Sequence, residues 1–178
     1  MIMTHFLKLT LCLGLLAKVF VGCEQYESFL EDQVLQCGCS LEGEEISPAY
    51  AGIVGKWQYE GYYNADNIFN ETPAPPEGYG EGFYIELKGN GGLNGRAAPN
   101  IIAAEEVQPY ENNGLNITRA GIATDIGSPH PEWEEQMAQG LNDAQCYNIT
   151  NGKETLHISY QPDNGQCKTM KFERKTED

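Results

Sequence analysis

The sequence predicts a mainly β domain of the α+β class, in which a small antiparallel sheet packs against one helix. Three observations predict this fold. Several stretches alternate apolar and polar residues, Asn-Gly pairs separate some of these stretches, and a single segment has helical periodicity. A chain of 178 residues is long enough for one domain with its own core.

The strands are predicted from the alternation of side chains. Residues 83–88 are the clearest case, because Phe83, Ile85 and Leu87 share one face while the residues between them point to the other. Trp57, in an alternating stretch, is expected in the core. Further strands are predicted at residues 55–59, 93–96, 101–107 and 115–118. Residues 64–82 are rich in Pro and Gly, and we expect them to form a long loop.

One helix is predicted to begin near Pro131. Acidic residues follow at once, and they favour the positive end of the helix dipole. Trp133, Met137 and Leu141 are four residues apart and form one apolar stripe, which we expect to face the core together with Phe172. The acidic residues of this helix therefore receive a structural interpretation and no catalytic one.

A three-stranded meander is predicted at the end of the chain, at residues 145–149, 155–160 and 168–174. Asn-Gly pairs at 151–152 and 164–165 predict two-residue turns between these strands. That register places Cys146 opposite His157 and Cys167 opposite Pro162. A bond between Cys146 and Cys167 would then exceed the reach of a disulfide. We therefore expect bonds from these two cysteines to Cys37 and Cys39, although three pairings of the four are open.

The start of the chain resembles a bacterial lipoprotein signal with its lipobox. Lys8 provides a positive charge, residues 9–17 form an apolar stretch too short to span a bilayer, and Gly22 precedes Cys23. The resemblance implies that residues 1–22 are a signal peptide and that Cys23 carries the lipid. Residues 23–52 would then be a tether and residues 53–178 the domain. An ordinary secretory signal is the alternative, with Cys23 in a disulfide.

The charge of the chain excludes some partners. Removal of residues 1–22 takes away Lys8 and Lys18, which leaves nine basic residues against 26 acidic ones and a net charge of −17. Phosphate groups would be repelled, so the sequence argues against a nucleic-acid partner. We expect the membrane to be contacted through the lipid anchor, and the other partner to be an unknown envelope protein or ligand.

The domain resembles the META domain of HslJ-like lipoproteins, over about residues 53–174. The resemblance rests on the strand and turn at 83–92, the small-residue segment that ends in Asn100, the Ile122-Ala123-Thr124 segment, the helix and the closing strands. It implies a small, antiparallel, barrel-like β domain with one packed helix. The family is associated with stress response and envelope integrity, and it provides no established catalytic residues. Pro99 and Ala104 depart from its usual pattern.

The sequence predicts neither an active site nor a cofactor or metal site. His130 precedes the helix and is interpreted as a loop or cap residue, and His157 as a surface residue of a strand. We therefore expect a non-enzymatic, lipid-anchored protein of the cell envelope, in the outer membrane of a Gram-negative bacterium, whose long loop binds a partner near Tyr79. The alternatives are a secreted inhibitor or adhesin, or an unrecognised envelope hydrolase.

Overall fold

A computed structural model describes residues 37–75, 77–162 and 165–176, and it confirms the predicted fold class. Its main feature is an antiparallel sheet curved into a half-barrel, with one α-helix among the described residues. The strands are β1 Gly55–Tyr63, β2 Phe69–Glu71, β3 Phe83–Leu87, β4 Leu93–Ala97, β5 Asn100–Ala104, β6 Glu106–Pro109, β7 Leu115–Thr118, β8 Gly121–Ile122, β9 Ala144–Thr150, β10 Thr155–Tyr160 and β11 Lys168–Arg174. The helix, α1, is Pro131–Asn142, and a 3-10 turn occupies Asn151–Lys153.

The main sheet runs in the order β8-β5-β4-β3-β1-β11-β10-β9. β1 is the central strand: it pairs with β11 along one edge, and with β3 and then β2 along the other. The core lies between the concave face of this sheet and α1. Its largest fully buried side chains include Trp57, Tyr59, Phe83, Tyr160 and Phe172. The predicted core positions 57, 83, 85, 87, 137, 141 and 172 are all buried there.

The predicted loop at 64–82 was wrong in one part, because it contains β2. This short strand pairs with the end of β1, and Gly61 makes the pairing possible. A Cβ atom on Gly61 would lie 2.0 Å from the carbonyl oxygen of Asn70, and the backbone φ of +145° also favours glycine. The approach of two backbones across Gly61 therefore turns a Pro- and Gly-rich segment partly into sheet.

The single strand predicted at 101–107 was also wrong, because the chain breaks at Glu105 into β5 and β6. β5 stays in the main sheet, beside β4, whereas β6 pairs with β7 in a separate two-stranded sheet. The amide of Glu105 donates to the carbonyl of Thr118, and the amide of Val107 donates to the carbonyl of Gly91. The first bond leads the chain to β7, whereas the second holds it beside the turn between β3 and β4.

The register predicted for the closing meander was wrong. Asn151 and Gly152 belong to the 3-10 turn rather than to a two-residue turn, and Thr150 pairs with Thr155. Cys146 consequently lies opposite Ser159 and not opposite His157. The second hairpin is displaced by one residue, since Tyr160 pairs with Lys168.

Two disulfides attach the start of the described chain to the sheet. Cys37 is bonded to Cys167, and Cys39 to Cys146, with Cα–Cα distances of 5.7 and 5.5 Å. Both bonds join the predicted tether to the domain, which confirms the expected kind of pairing. Hydrogen bonds continue the attachment, because the amide of Ile46 donates to the carbonyl of Pro109 at 2.9 Å.

The face of helix α1 that was predicted to meet the core is confirmed at two of its three positions. Met137 and Leu141 are fully buried, but Trp133 is only partly buried, with its ring 5.6 Å from that of Tyr62. Glu134 and Gly140 are buried instead. Gly140 is required by close packing, because a Cβ there would lie 2.7 Å from the sulfur of Met170. Compared with the predicted stripe, the buried face of the helix is therefore shifted from Trp133 towards Glu134, so that an acidic side chain faces inward.

Candidate functional site

A groove lies between α1 and the edge of the sheet at β8. Its volume is about 430 Å³, and it is open to solvent. Ala120 and Ile122 line it from the strand side, whereas the helix contributes Pro131, Glu134, Glu135, Ala138, Gln139 and Asn142. Apolar walls with a few polar groups are typical of small-molecule sites. The described residues that line this groove include two acidic side chains and no basic one.

Glu134 is the unusual side chain of the groove, because its exposed fraction is only 7%. One carboxylate oxygen, Oε2, accepts a hydrogen bond from Asn100 Nδ2 at 2.8 Å. The other, Oε1, is buried and has no hydrogen-bond partner among the described residues. A buried oxygen without a donor is energetically costly, and this atom has almost no accessible surface.

Asn100 holds Glu134 in place with a side-chain amide whose donors and acceptors all form hydrogen bonds. Its Oδ1 accepts from the Ile126 amide at 2.8 Å and from Thr124 Oγ1 at 2.9 Å, while its Nδ2 donates to the Ile126 carbonyl and to Glu134, both at 2.8 Å. An amide side chain offers two donors and two acceptor sites, so none is left over. Asn100 therefore positions Glu134 and has no donor left for its second oxygen.

The residues behind the META resemblance meet at this network. Asn100 ends the small-residue segment and Thr124 ends the Ile122-Ala123-Thr124 segment, and the two side chains are hydrogen-bonded. Sequence reasoning did not find Glu134, although a signal was present. Glu134, Met137 and Leu141 are spaced i, i+3 and i+7, which places the carboxylate on the buried face of α1.

Of the predicted site residues, Cys23 is outside the described residues, and Tyr79 does not line this groove. Tyr79 is partly exposed in the segment before β3, next to Glu81, which is ion-paired with Lys56 and lies 3.5 Å from Lys175. Its role as a contact for a partner stays a prediction.

The histidines differ in environment. His130 occupies the N-cap position of α1, where its carbonyl accepts the amide of Trp133 at 3.1 Å, as expected for a cap residue. His157 was expected at the surface, and this was wrong, because its exposed fraction is 7%. The pKa of His157 is lowered to about 4, mainly by burial and also by the charge of Lys171, while Glu173 opposes the change. Alternation along β10 places His157 on the face of the sheet opposite α1.

We expect the buried His157 to make the protein less stable in mild acid. The unfolded chain binds a proton at this side chain near pH ~6.5, whereas the folded state binds it only near pH 4. Stability is therefore lost as the pH falls between these values, by about 2 kcal/mol from about pH 7 to about pH 5. Urea unfolding of the native protein and of His157→Gln measures the difference. If both proteins lost the same unfolding free energy between these pH values, another titrating group would be responsible.

Two further structural observations concern metals and membranes. Within the ranges that the structure describes, no group of three or more His, Cys, Asp or Glu side chains is arranged to hold a metal ion. No helix in the same ranges has the length and apolarity needed to cross a bilayer.

Comparison with known proteins gives information on the fold and none on the function. No protein-family model matches the chain, and no curated protein matches it. The chain is similar to an NMR structure of a protein from Burkholderia xenovorans, with a TM-score of 0.51 and 15% identity over 79% of this chain and 97% of the other. It is also similar to the crystal structure of a DUF4847 family protein from Bacteroides vulgatus, with a TM-score of 0.46 and 17% identity over 70% and 94%. The Burkholderia likeness shows a shared fold, a mainly β half-barrel with one helix.

Proposed function

We propose that the protein is a non-enzymatic binding protein of the bacterial cell envelope, anchored by lipid at Cys23, which takes its ligand in the groove beside α1. The observation that carries the location is the pair of disulfides, Cys37–Cys167 and Cys39–Cys146. Structural disulfides persist in oxidising compartments such as the periplasm and the cell surface, and they are rare in the cytosol. A protein exported behind the lipoprotein-like signal would reach such a compartment.

The geometry of the groove supports the binding role. The groove is a shallow, open depression with an apolar wall at Ala120 and Ile122, and the acidic side chains of Glu134 and Glu135 line its helix side. Pockets of this kind are the default hypothesis for a ligand site in a protein whose function is not established. Asn100 fixes Glu134 in advance, so little ordering is required when a ligand binds.

Membership of the META family, with a role in stress response, remains part of this proposal. The hydrogen bond between Asn100 and Thr124 supports it, because both residues carry the resemblance and both build the wall behind Glu134. The outer membrane of a Gram-negative bacterium is the proposed location. Tyr79 is proposed as a second contact, for a larger partner.

We expect the native protein to carry a diacylglyceryl group on Cys23 and to partition into detergent. Intact-mass measurement of protein from the membrane fraction tests the modification, and Cys23→Ser should move the protein to the soluble fraction. Crosslinking followed by purification from membranes then tests for a bound ligand, with Gln139→Trp as a variant that fills the groove from an exposed helical position. An unmodified Cys23 would refute the anchor, and unchanged capture by Gln139→Trp would refute the groove.

A further inference from the structure

We propose that the domain rests on the bilayer that carries its anchor, and that the tip of the β1–β2 hairpin, Ile68 with Phe69, enters the headgroup region of that bilayer. This inference rests on the proposed function, because it takes Cys23 to carry a lipid. The partner surface follows from the exposed apolar tip, from the place at which the tether joins the domain and from the lysines beside the tip.

The hairpin tip exposes two large apolar side chains in succession. The exposed fraction is 58% for Ile68 and 38% for Phe69, and no other two exposed large apolar side chains of the described residues are neighbours in sequence. The ring of Phe69 lies 4.9 Å from that of Tyr63, which extends the apolar surface. Single exposed apolar residues are common on soluble proteins, whereas adjoining ones mark contact surfaces. Tyr63, Ile68 and Phe69 therefore form an apolar patch.

Hydrogen bonds hold the tip in one conformation. Asn64 Oδ1 accepts from the amides of Asp66 and Ile68, at 3.1 and 2.9 Å, and the Asn64 amide donates to the Ile68 carbonyl at 3.1 Å. Little conformational entropy is therefore lost when the patch meets another surface. The exposed carboxylate of Asp66 lies in the same turn, so we expect the tip to stay at the level of the headgroups.

The tether joins the domain at the same end of the sheet. Tyr63, the last residue of β1, pairs with Phe69 at the start of β2 and with Thr169 near the start of β11. Cys167 lies just before β11 and is bonded to Cys37, where the described chain begins. A lipid at the far end of the tether would keep this end of the domain near the bilayer. Such linkage raises the effective concentration, so even a weak contact can form.

Two lysines flank the apolar patch. Lys168 Nζ lies 5.5 Å from the ring centroid of Tyr62, and Lys171 Nζ lies 5.8 Å from that of Phe69 while it also pairs with Glu173 at 3.0 Å. Lysines beside aromatic rings suit a membrane interface, because the apolar stem can lie against acyl chains while the ammonium group reaches the phosphates. At this end, the two lysines offset the negative charge that otherwise opposes contact with phosphate groups.

Tryptophan fluorescence of the lipidated protein in phosphatidylcholine vesicles with brominated acyl chains tests the proposal. The readout is the fluorescence that Ile68→Trp adds to that of the native protein, compared with vesicles without bromine. We expect at least about half of this added fluorescence to be lost, because side chains at the interface lie about 5–10 Å deep and meet the quencher. Position 68 is exposed, and the thermal unfolding midpoint reports whether the fold is retained.

Tyr50→Trp is the matched control. Tyr50 is 89% exposed and precedes β1, at the end of the sheet where the Gly52 carbonyl accepts from Arg174, so its added fluorescence should not be quenched. Equal quenching at both positions, or none at either, would overturn the proposal. Shielding of Ile68→Trp from aqueous acrylamide in native membranes, but not in pure lipid vesicles, would also overturn it, because the contact would then be a protein. The anchor is judged separately, by the intact mass at Cys23.

Discussion

Removal of the disulfide between Cys39 and Cys146 is expected to lower the free energy of unfolding by about 3–4 kcal/mol. The bond between Cys37 and Cys167 stays in place, so the second bond closes a loop of only about 23 residues of the unfolded chain, two from Cys37 to Cys39 and 21 from Cys146 to Cys167. The paired variant Cys39→Ala with Cys146→Ala avoids a free thiol. For a chain of this size the loss corresponds to a fall of roughly 7–15 °C in Tm.

Cys23→Ser provides the control for this experiment, because Cys23 is outside both disulfides and its loss should leave the unfolding free energy unchanged. Peptide mapping of the unreduced protein should give the pairs Cys37–Cys167 and Cys39–Cys146. A loss of stability below about 1 kcal/mol in the paired variant would contradict the expectation, since it lies under the usual range for a native disulfide.

Trp57→Ala is expected to cost about 3–5 kcal/mol of unfolding free energy, and Trp133→Ala clearly less. Trp57 is fully buried, its Nε1 donates to the Ile53 carbonyl at 2.8 Å, and the Arg174 guanidinium carbon lies 4.0 Å from the ring centroid. Alanine would leave a cavity and a buried carbonyl without its donor. Trp133 is partly exposed at the border of the core, where its ring contacts those of Tyr59 and Tyr62.

The comparison of the two tryptophans tests the observed rotation of α1. Trp133 belongs to the apolar stripe that the sequence predicts, so a stripe facing the core squarely would make the two substitutions equally costly. Urea unfolding of both variants gives the difference between their unfolding free energies directly, provided that the slope of free energy against urea concentration is the same in both. Equal losses would mean that α1 faces the core through Trp133 rather than through Glu134.

The periodic elements could be predicted because their signals are local. The alternation in β3 and the helical spacing of Met137 and Leu141 depend only on residues within the element. The turn after β9 could not be predicted in this way. Its backbone is held by distant groups, since Arg174 Nε donates to the Lys153 carbonyl at 2.8 Å and the Arg174 amide to the Glu154 carbonyl at 2.7 Å. These contacts outweigh the local preference of Asn-Gly for a two-residue turn.

The candidate site was missed for a similar reason. The dipole of α1 accounts for an acid in its first turn, so Glu134 required no further explanation from its neighbours in sequence. Its partner Asn100 is 34 residues away and lies on a different element. Only the folded chain shows that the amide donates to one oxygen of the carboxylate, while the other oxygen has no hydrogen-bond partner among the described residues. The spacing of Glu134 with Met137 and Leu141 was the one local indication.

The first disulfide would also limit how far the domain can travel from the lipid that is proposed on Cys23. Only 14 residue steps separate Cys23 from Cys37, which is cross-linked to Cys167, and a fully extended chain of that length spans about 50 Å. A tether that stayed free up to residue 53 would reach about 100 Å. Because volume varies with the cube of the reach, a tether of half the length lets the domain explore about one-eighth of the volume above the membrane. With the proposed anchor, the point at which the domain is attached to its tether would stay within about 50 Å of the lipid.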